Sequence, residues 1–436
     1  MKAITEEMLD GFRQAYESDS HSVTMHAACA RTELKDLVFD PDQAARLKGG
    51  YTYEVKTHGI TAQKKSGRCW AFAALNMMRE RVIKKCGLDD FQLSGNYLAF
   101  YDKLEKANNF LDLVVENADK PLDDRMMEYV FKGFHDGGYW DMDVDLVKKY
   151  GIVPKSAMPE TYQSEHTELF MRMLNRVLRK DACILRNMIK DGKDVEETRK
   201  NMLAEVYRME CIVFGEPVKQ FDFSWQDQDG MCHDDFGITP KEFFAKYVDL
   251  DLDAFVTLTC EPTTFKPLDT YYTFHYIGSM AESDVKCLNV SADVMEEMCV
   301  RMLKAGKPVW FGCDADAYGD RQEGVWDPES FDWSGLFGGV DFDMDRQDWL
   351  DYKNGYCSHA MLLVGVHLDE NGKPDRWKIE NSWGDEVGDK GYFVSSREYF
   401  QRYVYEAVID WQYLDEKQKE LLQKEPLRLE PWIGGN

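Results

Sequence analysis

Cys69 lies in the stretch Gln63-Lys64-Lys65-Ser66-Gly67-Arg68-Cys69-Trp70-Ala71-Phe72-Ala73-Ala74-Leu75-Asn76, whose residue types suit a nucleophile. Phe72, Leu75, Met78 and Val82 keep roughly helical spacing, which predicts a helix with Cys69 in its first turn. Unpaired backbone N–H groups point out of that end and carry about half a positive charge. They favour a thiolate over a thiol, and a thiolate is nucleophilic near neutral pH. Gln63 precedes the helix on the incoming loop. Its amide and the Cys69 backbone N–H could both donate to one developing oxyanion. A buried structural cysteine is the competing reading of this stretch taken alone.

A cysteine nucleophile needs an imidazole beside it to manage protons, and the imidazole needs an acceptor to orient it. His359 opens the apolar run Ser358-His359-Ala360-Met361-Leu362-Leu363-Val364-Gly365-Val366, which reads as a strand. A turn with an Asn371-Gly372 signal follows, and Arg376 to Asn381 returns as an alternating strand. That hairpin brings His359 and Asn381 to the same end of a sheet. The Asn381 side-chain carbonyl can then hold one ring nitrogen, with Trp383 as a roof against water. Asp136-Gly137-Gly138-Tyr139-Trp140 offers paired glycines where a ligand backbone can approach closely, or simply a turn before a helix from Met142 to Tyr150.

The elements that must position these groups follow from periodicity. Thr5 caps a first helix with Glu6 and Glu7 in its opening turn, and the segment from Asp19 to Lys56 reads as polar and irregular. Tyr97 to Leu113, Glu168 to Ile189 and Val195 to Phe214 carry helical patterns. From about residue 250 the pattern turns to strands, at Phe255–Thr259, Tyr271–Ile277 and Pro308–Asp314, with a helix from Ala292 to Ala305. Met231-Cys232-His233-Asp234-Asp235 reads as a loop, because four adjacent residues cannot all face one metal ion. Asp415 to Gln423 reads as a charged helix before the final tail.

With 436 residues, 44% of them apolar, the chain can bury a substantial core. Its 53 basic and 79 acidic residues leave a net charge of −26, which would repel a nucleic-acid or anionic-membrane partner unless basic residues cluster in the fold. No apolar run is long enough to span a membrane, and no secretory signal pattern opens the chain. Eleven cysteines, with no Cys-x-x-Cys pair, argue against a disulfide framework or a zinc site and for a reducing, cytoplasmic compartment. No cofactor motif is found.

Gln63, then Ser66-Gly67-Arg68-Cys69-Trp70, then His359 and Asn381-Ser382-Trp383-Gly384, in that order, resemble the papain-like cysteine peptidases. Phe72-Ala73, the run Phe100 to Asn108 and Pro308 to Asp314 are similar to the bleomycin hydrolase and aminopeptidase C branch. The resemblance implies an α+β, papain-like fold with a large helical insertion and N- and C-terminal extensions. It divides the chain into an extension (1–60), a helical half with the nucleophile (61–160), the insertion (161–250), a β-rich half (251–411) and a C-terminal helix and arm (412–436). It implies Cys69, His359 and Asn381 as catalytic residues, Gln63 and the Cys69 N–H as the oxyanion hole, and Trp383 as support. Gly138, beside Gly137, would pair with substrate, and the carboxylate of Asn436, after Glu430-Pro431-Trp432, would meet the substrate's α-ammonium. Peptides as substrates, a homohexamer, and no metal or cofactor are implied as well. The tail after Trp432 is shorter than the family pattern, so release of dipeptides or longer pieces is the alternative. A catalytically silent scaffold is the other.

Overall fold

Apolar residues at helical spacing build one half of the protein, and strands build the other. The computed structural model describes residues 3–280 and 283–434. In the helical half, Cys69–Cys86 packs beside Gly95–Glu116 and Trp140–Tyr150, and Glu168–Lys190 and Glu196–Phe214 pack on Gly95–Glu116. Ala74, Met78 and Val82, one turn apart, are wholly buried against a core that includes Phe100, Leu111 and Leu146. Ser94 caps the second of these helices by accepting a 3.0 Å bond from the Tyr97 N–H. Gly87 ends the Cys69 helix in the left-handed region, at φ 64°, where a side chain would be strained.

The other half is one sheet of twelve strands. At its centre run, side by side and antiparallel, Val404–Asp410, Val309–Cys313, His359–Leu368, Pro374–Glu380 and Tyr392–Ser396. His359 pairs with Cys313, and Leu362 pairs with Glu380. Continued along the hairpin, that register sets His359 opposite residues 381–383. The Cys69 helix lies against the strand His359–Leu368, so the start of that helix and the start of that strand share one seam.

Two expectations fail. The segment from Asp19 to Lys56 is not irregular: it forms helices Ser20–Cys29, Leu34–Val38 and Pro41–Ala45 and the short strand Tyr53–Glu54. Asp19 and Asp40 cap two of them, but the helices bury only Val38 and Ala44, so they show almost no apolar periodicity. Nor is the region to residue 250 all helical. Phe221–Gln226 and Cys232–Ile238 form a hairpin that takes up most of the stretch read as a loop at Met231–Asp235. The alternation of Phe221, Phe223 and Trp225 is its signal, and Phe223 packs edge-on against Phe243 and Tyr247.

The tail is ordered by the sheet. After the helix Glu416–Leu422, Leu427–Leu429 adds a parallel strand beside Thr270–Phe274, and Pro431–Gly434 forms one helical turn. Asn436 lies outside the described residues.

One buried ion pair crosses the seam. Arg79 of the Cys69 helix donates to Glu380 at 2.7 Å, with both side chains almost fully buried. Arg79→Met would leave that carboxylate without its cation and is expected to cost about 3–5 kcal/mol in urea unfolding. Adding Glu380→Leu should recover part of the loss, because the double variant has no orphaned charge.

Candidate active site

The turn before Cys69 is held from three sides. Arg68 is buried, donates to Ser66 Oγ at 2.9 Å and pairs with Glu160 at 3.0 Å. The Gly67 N–H donates to Asp136 Oδ2 at 3.1 Å, and Trp70 Nε1 donates to the Asp136 carbonyl at 2.8 Å. Gln63 is stitched to the sheet: its N–H donates to the Ser382 carbonyl at 2.8 Å, and Ser382 Oγ donates to its Oε1 at 2.7 Å. One N–H of the Gln63 amide is already committed to the Ser66 carbonyl at 2.6 Å. The amide carries two, so a single N–H is left to meet an oxyanion.

His359 Nε2 stands 2.8 Å from Asn381 Oδ1, which also accepts from the Ser382 N–H at 2.7 Å. A carbonyl oxygen can only accept, so Nε2 carries the proton and Nδ1 is the basic nitrogen. Trp383 stacks on the imidazole, 4.7 Å between centroids and 24° between planes. The Arg321 guanidinium lies over the Trp383 ring at 4.7 Å.

Gln63, Cys69, Gly137, Gly138 and His359 line one cavity of about 1010 Å³, with Asn381 and Trp383 behind the histidine. Trp432 and Ile433 of the tail line the same cavity. The two glycines have a protein reason to be glycine. A Cβ on Gly138 would fall 2.6 Å from the Trp70 ring, and one on Gly137 would fall 2.7 Å from His135. Among the described residues no group of His, Cys, Asp or Glu gathers as a metal site.

The charge state differs from the helix-terminus expectation. The sulfur faces the cavity, but protein surrounds it on nearly every other side. Burial pushes the Cys69 thiol up to about 11, against the pull of the backbone N–H groups of Ala360, Trp70 and Cys69 itself. Burial likewise pushes the His359 imidazole down to about 4, against its bond to Asn381. As separate groups both stay neutral at pH 7.

Behind the glycine pair stands a charge network that the sequence reading passed over. Lys103 pairs with Asp136 at 2.8 Å and with Asp102 at 3.1 Å, and Lys106 donates to the Gly137 carbonyl at 2.7 Å. Burial pushes the Asp136 carboxyl up, but Lys103, Thr167 and the Gly67 N–H outweigh it and hold the group well below the usual carboxylate range. Asp102, Lys103 and Lys106, set among the apolar residues Leu98, Phe100, Ala107 and Phe110 of that helix, were the available signal.

A family model described as the Peptidase C1-like family matches residues 3–434. Aminopeptidase C of Listeria innocua is 38% identical over 431 residues, covering 98% of this chain and 97% of that protein. Aminopeptidase G of Lactobacillus delbrueckii subsp. lactis is 40% identical over 436 residues, covering 98% of each. The crystal structure of PepW from Lactobacillus rhamnosis HN001 superposes with a TM-score of 0.96 at 38% identity, covering 99% of this chain and 98% of that one.

Removing the imidazole should leave the Cys69 thiol with its burial penalty alone. In His359→Ala, alkylation of Cys69 by iodoacetamide at pH 7 is expected to fall by at least about 100-fold and to recover only as the pH rises toward 11. The rate of mass gain at Cys69 against pH, compared with the unmodified sequence, reads this directly.

Proposed function

The chain belongs to the Peptidase C1-like family, and from that premise we propose that it is a cysteine aminopeptidase acting through an acyl-enzyme. The fold is α+β and papain-like. In the proposed reaction the Cys69 sulfur attacks the peptide carbonyl as its proton passes to His359 Nδ1. The Cys69 N–H and the remaining Gln63 N–H hold the oxyanion. His359 then protonates the departing amine, and water hydrolyses the thioester with His359 as base. Asn381 keeps the imidazole in the tautomer this needs, and Trp383 shields their bond from water. Gly137 and Gly138 border the cavity where the substrate main chain would lie.

The observation that carries the exopeptidase reading is the presence of Trp432 and Ile433 in the cavity that holds Cys69 and His359. A tail lodged there shortens the cleft, and its terminal carboxylate, on Asn436, would meet a free α-ammonium. The second reading is release of dipeptides, in which the cleft holds two residues before the cleaved bond. Within the same proposal, residues 61–160 and 251–411 form the two halves of the catalytic domain, residues 161–250 an insertion, and residues 1–60 and 412–436 its extensions. Cytoplasmic location and a homohexamer complete it.

Incubation with one peptide, free or acetylated at its amine, separates the readings by mass spectrometry. Stepwise loss of single residues from the free peptide only, absent in Cys69→Ala, is the expected result. Loss of residue pairs selects the dipeptidyl reading, and cutting of the acetylated peptide excludes arm gating. Gln63→Ala should lower kcat by about 10- to 1000-fold with KM little changed, as expected for loss of one oxyanion donor.

A further inference from the structure

Residues 133–139, which carry the glycine pair, form no helix or strand. Side chains hold this loop from outside, one carbonyl at a time. Asn175 donates to the Phe134 carbonyl at 2.8 Å and Lys106 to that of His135 at 3.2 Å. Trp70 Nε1 donates to the Asp136 carbonyl at 2.8 Å, and Lys106 returns to that of Gly137 at 2.7 Å. The ammonium of Lys106 also donates to Asp102 at 3.1 Å, which spends its third N–H.

The Gly137 N–H is spent as well, on His135 Nδ1 at 2.9 Å. Gly137 is thus held at both of its main-chain polar groups by Lys106 and His135. Gly138 is the next residue, it lines the cavity, and its N–H and carbonyl meet no protein partner among the described residues. Where those two groups sit is therefore decided by how Gly137 is held.

The bond from Gly137 depends on charge. A ring nitrogen that accepts carries no proton, so His135 holds its proton on Nε2 and the bond exists only while the imidazole is neutral. Protonation would set a second N–H against that of Gly137. Burial against the cavity wall and the Lys106 ammonium hold His135 below the usual imidazole value, with Asp102 and Asp136 opposing and Lys103 adding to the fall. Arg125 lines the same cavity and adds a further positive charge on that side. The ring is therefore neutral at pH 7, and the bond is lost only as the pH falls through the lowered range.

We propose that His135 and Lys106 are positioning residues for the peptide substrate, a latch and a clamp that hold Gly137 and so set the Gly138 main chain where it meets the substrate, the latch opening when His135 takes up a proton. The proposal rests on the peptidase reading, in which the substrate main chain lies along Gly138. Neither side chain bonds to Cys69 or His359, so substrate binding should respond to them and the chemical step should not. Loss of either should raise KM, and acid should raise KM through His135.

The test measures binding to the full chain carrying Cys69→Ala, which holds peptides without cutting them. The probe is a short apolar peptide with a free amine and an amidated C-terminus, which has no group titrating across the acid range. At pH 7, calorimetry is expected to show binding about tenfold weaker in His135→Ala, from loss of one bond in the cavity wall. His135→Asn places an oxygen where Nδ1 was, in the position of an Asx turn, and cannot be protonated; it should bind within about twofold of the parent at pH 7. Between pH 7 and about pH 4.5 the parent should weaken while His135→Asn holds its affinity. Lys106→Met should weaken binding about tenfold or more at every pH, and Lys106→Arg should restore part of it. Should Lys106→Met fail to fold, the His135 variants, at a side chain open to the cavity, still decide the matter. With Cys69 present, KM should rise in His135→Ala while kcat and alkylation of Cys69 by iodoacetamide stay within about threefold. Unchanged binding in His135→Ala, an acid loss that persists in His135→Asn, or a fall in kcat at constant KM overturns the latch alone. Binding of no peptide by the Cys69→Ala parent at any pH overturns the peptidase reading and the latch with it.

Discussion

A buried thiol and a buried imidazole can be charged only as a pair. At the seam of this protein, burial drives Cys69 up to about 11 and His359 down to about 4. Alone, neither could supply a thiolate or an imidazolium at neutral pH. In the proposed mechanism each charge gives the other the partner that the interior does not. The helix terminus adds N–H donors to the sulfur but does not by itself overcome desolvation. Catalysis of the kind proposed therefore depends on keeping the two groups in register. Much of the surrounding structure serves that end.

Register is kept by ties across the seam rather than by either half. Gln63 and Ser382 bond reciprocally, so the loop before Cys69 and the loop after Asn381 move together. Trp310 Nε1 donates to the Trp70 carbonyl at 3.0 Å, tying the Cys69 helix to the central sheet. Asp136 holds the Gly67 N–H and the Trp70 indole, and Lys103 and Thr167 hold Asp136. These groups touch no reacting atom, yet they fix where the sulfur sits. The rings of Trp70 and His135 fill the space beside Gly138 and Gly137, so the glycines also let the cavity wall pack closely.

The parts legible in the sequence were those set by local pattern. The helix at Cys69 follows from 3.6-residue spacing, and the hairpin from His359 to Asn381 follows from two apolar strands around an Asn-Gly turn. Fold class followed from the family resemblance carried by the segments around Gln63, Cys69, His359 and Asn381. Long-range and tertiary effects were not legible. The helices between Asp19 and Ala45 lack apolar periodicity because they bury almost nothing. The hairpin at Phe221–Ile238 sits between helical stretches, and its alternation was read with theirs. The rise of the Cys69 thiol comes from burial, which no single segment encodes. The same holds for the pairing of Lys103 with Asp136.

The most direct test of this coupling is the titration of His359 itself, followed by nitrogen NMR of labelled imidazole. It is measured first with Cys69 free, then with its sulfur capped by methanethiosulfonate, which removes the possibility of a thiolate. With Cys69 free, the account predicts an imidazole that stays protonated through pH 7. Once the sulfur is capped, it should lose its proton and titrate near the low value set by burial, about 4. The same low titration in both forms would contradict the account, since His359 would then be neutral whatever the state of its partner.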